Sequence, residues 1–164
     1  MTPERLGFVA VEALDAGDAR TLAAVLAGID PWLTLGTSAE SLARGLQSTH
    51  PDVTRYLAVR DGVTQGLVGI RYPWLRGAYI ELFAVLPTAQ GQGVGRAALA
   101  FIEHNFRGRT ANLWLLVSGF NARARCFYER NGFRPIGVIA DLLAAGEDEV
   151  LMRKVIDPHR TTDA

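Results

Sequence analysis

A single cysteine, Cys126, leaves no internal disulfide and no multi-cysteine metal site. The three histidines, His50, His104 and His159, share no ligand spacing, so no metal site is expected. No apolar run approaches the roughly 20 residues of a membrane helix, and the first residues lack the basic, apolar, small-residue order of a signal peptide. A cytoplasmic chain with no membrane partner is therefore expected. An excess of either charge is missing too: 17 basic and 17 acidic residues cancel, which argues against nucleic acid as the main partner. Repeats, low-complexity blocks and linkers are also absent, and one domain over residues 1–164 is the reading.

What the chain does have is a 49% hydrophobic, 21% charged composition, enough to bury a sizeable core. Its charge is unevenly placed. Between Arg96 and Arg134 seven arginines face two acids, Glu103 and Glu129, whereas the flanking segments are net acidic. Ordinary surface variation can produce such a run; the sharper reading is a small anionic ligand beside the basic segment and a cationic one elsewhere.

Local signals place the elements. Phe8-Val9-Ala10-Val11 reads as a strand, and Asp15 can cap a helix with apolar positions Leu22, Val25, Leu26 and Ile29, ended by Asp30-Pro31-Trp32. Thr37 with Glu40 is a capping-box signal for a second short helix through Gly45-Leu46. Strands are expected over 54–60 and 63–72 around the hairpin signal Asp61-Gly62, and over 78–86, apolar on both faces except Glu81 and hence central. Val94, Ala97, Ala98, Phe101 and Ile102 then share one helical face. A buried strand at 113–117 follows, so a parallel pair with a right-handed crossover is expected. A helix over 121–130 stops at Asn131-Gly132, before two last strands at 133–139 and 149–156.

The segment Gln90-Gly91-Gln92-Gly93-Val94-Gly95-Arg96 spends three glycines at alternate positions just before a helix. Helix N-termini present unpaired, partially positive N–H groups, and a glycine-rich entry lets phosphate oxygens approach them. A Walker loop would need Gly-Lys-Ser/Thr, which Arg96-Ala97-Ala98 does not supply. Gly93-Val94-Gly95-Arg96-Ala97-Ala98 matches a dinucleotide fingerprint, but the acidic residue expected about 20 positions on is replaced by Val117-Ser118-Gly119. The third pattern is Gln90-x-x-Gly93-x-Gly95 after a central strand, joined by Asn121-x-x-Ala124-x-x-Phe127-Tyr128-x-x-x-Gly132-Phe133.

Together these two motifs make the chain resemble the GNAT superfamily of acetyl-CoA-dependent N-acetyltransferases. The resemblance implies an α/β fold: a single mixed, mostly antiparallel sheet with a central parallel pair and helices on both faces, and a CoA-binding core over about residues 78–134. It implies that main-chain amides of Gln90, Gly91, Gln92, Gly93, Val94, Gly95 and Arg96 hold the pyrophosphate. Backbone groups near Phe83, Ala84 and Val85 would pair with the pantetheine arm. Asn121 resembles a pantetheine-contacting asparagine, or serves as a helix cap, or both. Arg123 and Arg125 are partners for anionic CoA groups, or solvated helix arginines. Tyr128 matches the tyrosine that protonates the departing thiolate; a phenol near pKa ~10 can donate to a thiolate whose acid is near ~8.5.

The proton acceptor stays open between Glu81 acting as base with a pKa raised by burial, Glu81 merely binding the ammonium, and no dedicated base. Cys126 is expected to pack. Trp32, Leu33 and Leu35 either line the acceptor pocket or pack on the sheet. The resulting expectation is direct acetyl transfer from acetyl-CoA to a primary amine of a small molecule or peptide, by a monomer or homodimer. A non-catalytic acyl-CoA-binding module and a nucleotide-binding oxidoreductase are the alternatives.

Overall fold

In the computed structural model, which describes residues 5–159, the first helix starts where Asp15 permits it. Its carboxylate accepts the backbone N–H groups of Gly17 and Asp18 at 2.8 and 2.9 Å, capping α1 (Ala16–Leu26). Ala19, Leu22, Ala23 and Leu26 form the buried face. A short helix that the sequence pattern does not announce, α2 (Trp32–Leu35), follows. Gly36, at φ 68°, ends it, and the Thr37 N–H closes on the Trp32 carbonyl at 2.9 Å. That bond takes the Thr37 N–H that a capping-box Glu40 would have accepted, and the cap of α3 (Ala39–Gln47) is Ser38, whose Oγ accepts from the Ser41 N–H at 3.1 Å. The expected Thr37/Glu40 capping box is corrected accordingly. Ala43 and Leu46 of α3 join Leu14, the α1 face, Leu67 and Ala84 in one apolar cluster.

Seven strands form one sheet in the order β1-β2-β3-β4-β5-β7-β6: β1 (Gly7–Val11), β2 (Val53–Arg60), β3 (Val63–Trp74), β4 (Gly77–Val85), β5 (Asn112–Ser118), β6 (Arg134–Ala140) and β7 (Asp148–Val155). Asp61 and Gly62 both sit at positive φ, 54° and 74°, the conformation that a two-residue hairpin between twisted strands demands. β4 is fourth of the seven and pairs in parallel with β5, the two being joined through α4 (Val94–Phe106), as the strand-helix-strand pattern requires. Their ladder runs from Gly77↔Asn112 to Ile80↔Leu115, while β4 continues to Val85 and β5 to Ser118. β7 pairs antiparallel with both β5 and β6.

The described residues group into two compact units, 5–69 with 82–95 and 70–81 with 96–159, and β3 and β4 each contribute to both. In the first unit Arg55 is buried at 6% exposure and donates to the carbonyls of Glu12, Ser48 and Gly45 at 2.9, 2.7 and 3.0 Å. Two of those carbonyls lie at the end of α3, where helix C=O groups lack intrahelical partners. In the second unit, Lys154 Nζ meets Glu103 Oε2 at 2.6 Å, and Arg107 also bonds the Glu103 carboxylate. Among the described residues no helix is long and apolar enough to cross a membrane.

Candidate active site

In the first unit the glycine segment leaves β4 through a 3-10 turn, Pro87–Ala89. Gly91 and Gly93 then take φ of 73° and 78°, a left-handed conformation that costs L side chains about 1–2 kcal/mol. A Cβ built on either would meet nothing within 4 Å, so the space beside the loop is open. α4 begins at the next residue, the buried Val94, and its first amides have no intrahelical acceptors. Two glutamines hold the loop's shape. Gln90 Nε2 donates to the Val85 carbonyl at 3.3 Å, and Gln92 Nε2 to the Thr88 carbonyl at 2.8 Å. On its other side Gln92 Oε1 accepts from Arg60 Nη1 at 3.3 Å, an arginine that no sequence motif marks. Ala84 is buried, Phe83 and Val85 half-buried, and Arg96 exposed.

The second unit carries Glu81, Asn121, Arg125 and Tyr128. α5 (Ala122–Arg130) is capped by Asn121, whose Oδ1 accepts from the Ala124 N–H at 3.2 Å. Asn121, Ala124, Arg125 and Tyr128 lie on the less exposed stripe of this helix, while Ala122, Arg123, Cys126 and Arg130 form the exposed one. Cys126 is thus exposed, which corrects the packing role expected for it. Arg125 Nη2 is 4.0 Å from Glu129 Oε1, but its Nε is buried without a hydrogen-bond partner, the one such side-chain atom among the described residues. An unpaired buried donor is costly, and asks for an acceptor. Tyr128 stands against Phe127 and Phe133 at ring separations of 5.3 and 5.9 Å, and burial pushes its phenol above the ordinary value, so the hydroxyl keeps its proton at neutral pH.

Glu81 is ion-paired: Arg71 Nε lies 3.0 Å from its Oε2, with both side chains partly exposed. The sequence reading had Glu81 as an isolated strand carboxylate, because the partner sits on the neighbouring strand and only register brings it in. A second carboxylate escaped that reading altogether. Glu149 on β7 is 2% exposed, opposite Ser118 in the ladder, and accepts the Ser118 hydroxyl at 2.6 Å. Burial pushes its carboxyl up, with the Ser118 bond pulling the other way. Burial also pushes the Tyr79 phenol up to about 12, the Glu81 and Glu149 charges adding to it and Arg71 opposing. Nothing within β7, which also carries Asp148, Arg153 and Lys154, singles Glu149 out; only the ladder that sets it opposite Ser118 does.

A raised carboxyl makes a pH prediction. Folded Glu149 holds its proton more tightly than the unfolded residue, whose ordinary value is 4.5. Its contribution to stability is therefore complete below that value and lost as pH rises through the folded one. Glu149→Gln keeps an acceptor for Ser118 and carries no charge. It is expected to melt above the wild type at about pH 8, by a margin that shrinks towards about pH 4. Thermal melts at both pH values check this, and an equal offset at both would remove the buried charge as the cause.

Two open clefts, of about 530 and 440 Å³, hold none of the residues expected at the site; one is lined by Glu12, His50 and Thr54, the other by Arg20, Glu40 and Arg44.

Comparison with known proteins agrees with the motifs. Residues 27–133 match the acetyltransferase (GNAT) family. An uncharacterised N-acetyltransferase of Methanocaldococcus jannaschii is 35% identical over 117 residues, 70% of this chain and 73% of that protein. The mycothiol acetyltransferase of Beutenbergia cavernae is 37% identical over 81 residues, which are 49% of this chain but only 27% of that protein. Among solved structures, a candidate streptothricin acetyltransferase of Bacillus anthracis, in complex with acetyl coenzyme A, has the same fold at a TM-score of 0.60 and 24% identity, over 66% of this chain and 65% of that one.

Proposed function

The chain belongs to the acetyltransferase (GNAT) family, and from that premise we propose that it transfers the acetyl group of acetyl-CoA directly to a primary amine of a small molecule or peptide. The observation that carries the reading is the loop: Gly91 and Gly93 are left-handed with open space beside them, immediately before the unpaired amides of α4. An acyl-CoA fits such residues. Amides from Gln90 to Arg96 suit its phosphates, main-chain groups of Phe83 to Val85 suit its amide-bearing arm, and the orphan Arg125 Nε asks for an acceptor. Bound acetyl-CoA supplies the activated acetyl group. Tyr128 holds at its Oη the proton that a leaving sulfur needs. Glu81, steadied by Arg71, receives the acceptor's ammonium charge or its proton. The exposed Cys126 has no part in direct transfer. The dinucleotide reading loses its basis, because its parallel βαβ repetition is replaced by a single β4–β5 parallel pair in a mixed sheet.

The test is release of free CoA from acetyl-CoA with a panel of amines, peptides and aminoglycosides. Amine-dependent release is expected, and Glu81→Gln is expected to lower kcat/KM for the amine without changing CoA affinity. An acidic limb of kcat/KM that persists unaltered in that variant would take proton acceptance away from Glu81. Firm CoA binding with no transfer to any amine would leave the chain an acyl-CoA-binding module.

A further inference from the structure

We propose that Arg60, held at the glycine loop by Gln92, is a phosphate-binding residue for CoA. The inference rests on the acetyl-CoA reading and adds a residue from a distant part of the sequence. Residues 87–95 carry no charged side chain, so apart from Arg96, which follows them, the loop by itself offers a polyanion only backbone amides. The structure brings a cation to it from 32 positions upstream: Arg60 Nη1 donates to Gln92 Oε1 at 3.3 Å. Both ends of that contact are fixed. Gln92 is tied to the Thr88 carbonyl at 2.8 Å, and Arg60 is the last residue of β2, directly before the Asp61-Gly62 turn.

The partner's chemistry matters most. Arg44, Arg71, Arg107 and Arg125 each sit beside a glutamate, which offsets their charge. Among the described residues Arg60 has no carboxylate within ion-pair distance, and its tether is a neutral amide. An amide oxygen orients a guanidinium without neutralising it. A guanidinium has five donors, so the single bond to Gln92 leaves the others available to an anion in the fork geometry that suits phosphate. The open space beside Gly91 and Gly93, on either side of Gln92, is where such an anion would be received.

CoA offers two phosphate sources, its pyrophosphate and its 3′-phosphate, and calorimetry with CoA and with 3′-dephospho-CoA separates them. Arg60→Gln is expected to bind CoA about tenfold more weakly at low salt, with the difference shrinking at high salt. A loss seen with both ligands assigns the contact to the pyrophosphate, and a loss confined to CoA assigns it to the 3′-phosphate. Arg60→Lys is expected to recover only part of the affinity, since an ammonium lacks the fork. Gln92→Ala frees the guanidinium but keeps its charge, so a smaller loss is expected, and none beyond that of Arg60→Gln when the two are combined. Arg60→Gln that melts as the wild type does and binds both ligands equally well overturns the inference while leaving the acetyl-CoA reading intact. A wild-type chain that binds neither ligand overturns both.

Discussion

Tyr128→Phe is expected to lower kcat by roughly 10²- to 10⁴-fold while leaving CoA affinity nearly unchanged. The substitution keeps the ring, and with it the contacts to Phe127 and Phe133, so only the hydroxyl is lost. Because burial raises the phenol's pKa, the wild-type residue stays protonated well into the alkaline range, and no alkaline limb of the rate near neutrality is expected from it. The loss should shrink with an acetyl donor whose leaving thiol is more acidic, since a stabilised thiolate needs less help from a proton. A hydroxyl that served only the fold would show differently, as a drop in melting temperature worth about 1 kcal/mol with kcat preserved. Steady-state kinetics on the folded variant decides between the two, and a near-normal kcat with ordinary acetyl-CoA returns Tyr128 to the core.

Gly93→Val carries the second large effect. At φ 78° a β-branched side chain strains the backbone by about 1–2 kcal/mol, and its methyl groups project into the open space beside the loop. If phosphate occupies that space, CoA affinity falls at least about tenfold, close to 1.4 kcal/mol. Gly108 separates strain from obstruction. It has nearly the same backbone, φ 80°, and the same emptiness within 4 Å, but lies beyond the opposite end of α4. Gly108→Val is expected to show a similar drop in melting temperature with CoA affinity intact. Equal CoA affinity in the two valine variants would move the phosphate site away from Gly93.

Much of this architecture is written in short-range chemistry. Asp61-Gly62, Asp15 before α1, and Asn131-Gly132 after α5 each specify a backbone event that only a few residues can perform, and each occurs where the residues stand. The β4-α4-β5 crossover follows from apolar periodicity switching between two and 3.6. The glycine loop was legible for the same reason, since its left-handed turns admit little else. What escaped depends on neighbours far along the chain. Arg71 reaches Glu81 across a strand pair, Arg60 meets Gln92 over 32 residues, and Glu149 finds Ser118 through ladder register. α2 was missed because four residues hold too little periodicity to register, and its closure on Thr37 then displaced the next cap. Cys126 was misplaced because cysteine as a residue type is usually buried, whereas here the helix turns it to the exposed side.

The Arg55 anchor bears on how freely this chain can drift in sequence. Its donors engage main-chain oxygens of Glu12, Gly45 and Ser48, atoms that every amino acid possesses. Substitution at Glu12 or Gly45 therefore leaves the acceptors in place, and at Gly45 an added Cβ would touch nothing within 4 Å, whereas Ser48 also brings a hydroxyl that accepts from Arg55 Nη2 at 3.5 Å and donates to the Gly45 carbonyl at 2.7 Å. The freedom does not extend to Arg55 itself. Lysine keeps the charge but ends in a single ammonium, which lacks the planar, two-pronged reach by which Nη1 serves Glu12 and Ser48 while Nη2 serves Gly45. Variation among descendants of this sequence should accordingly be asymmetric, wide at Glu12 and Gly45, which offer only main chain, and narrow at Arg55, which holds them.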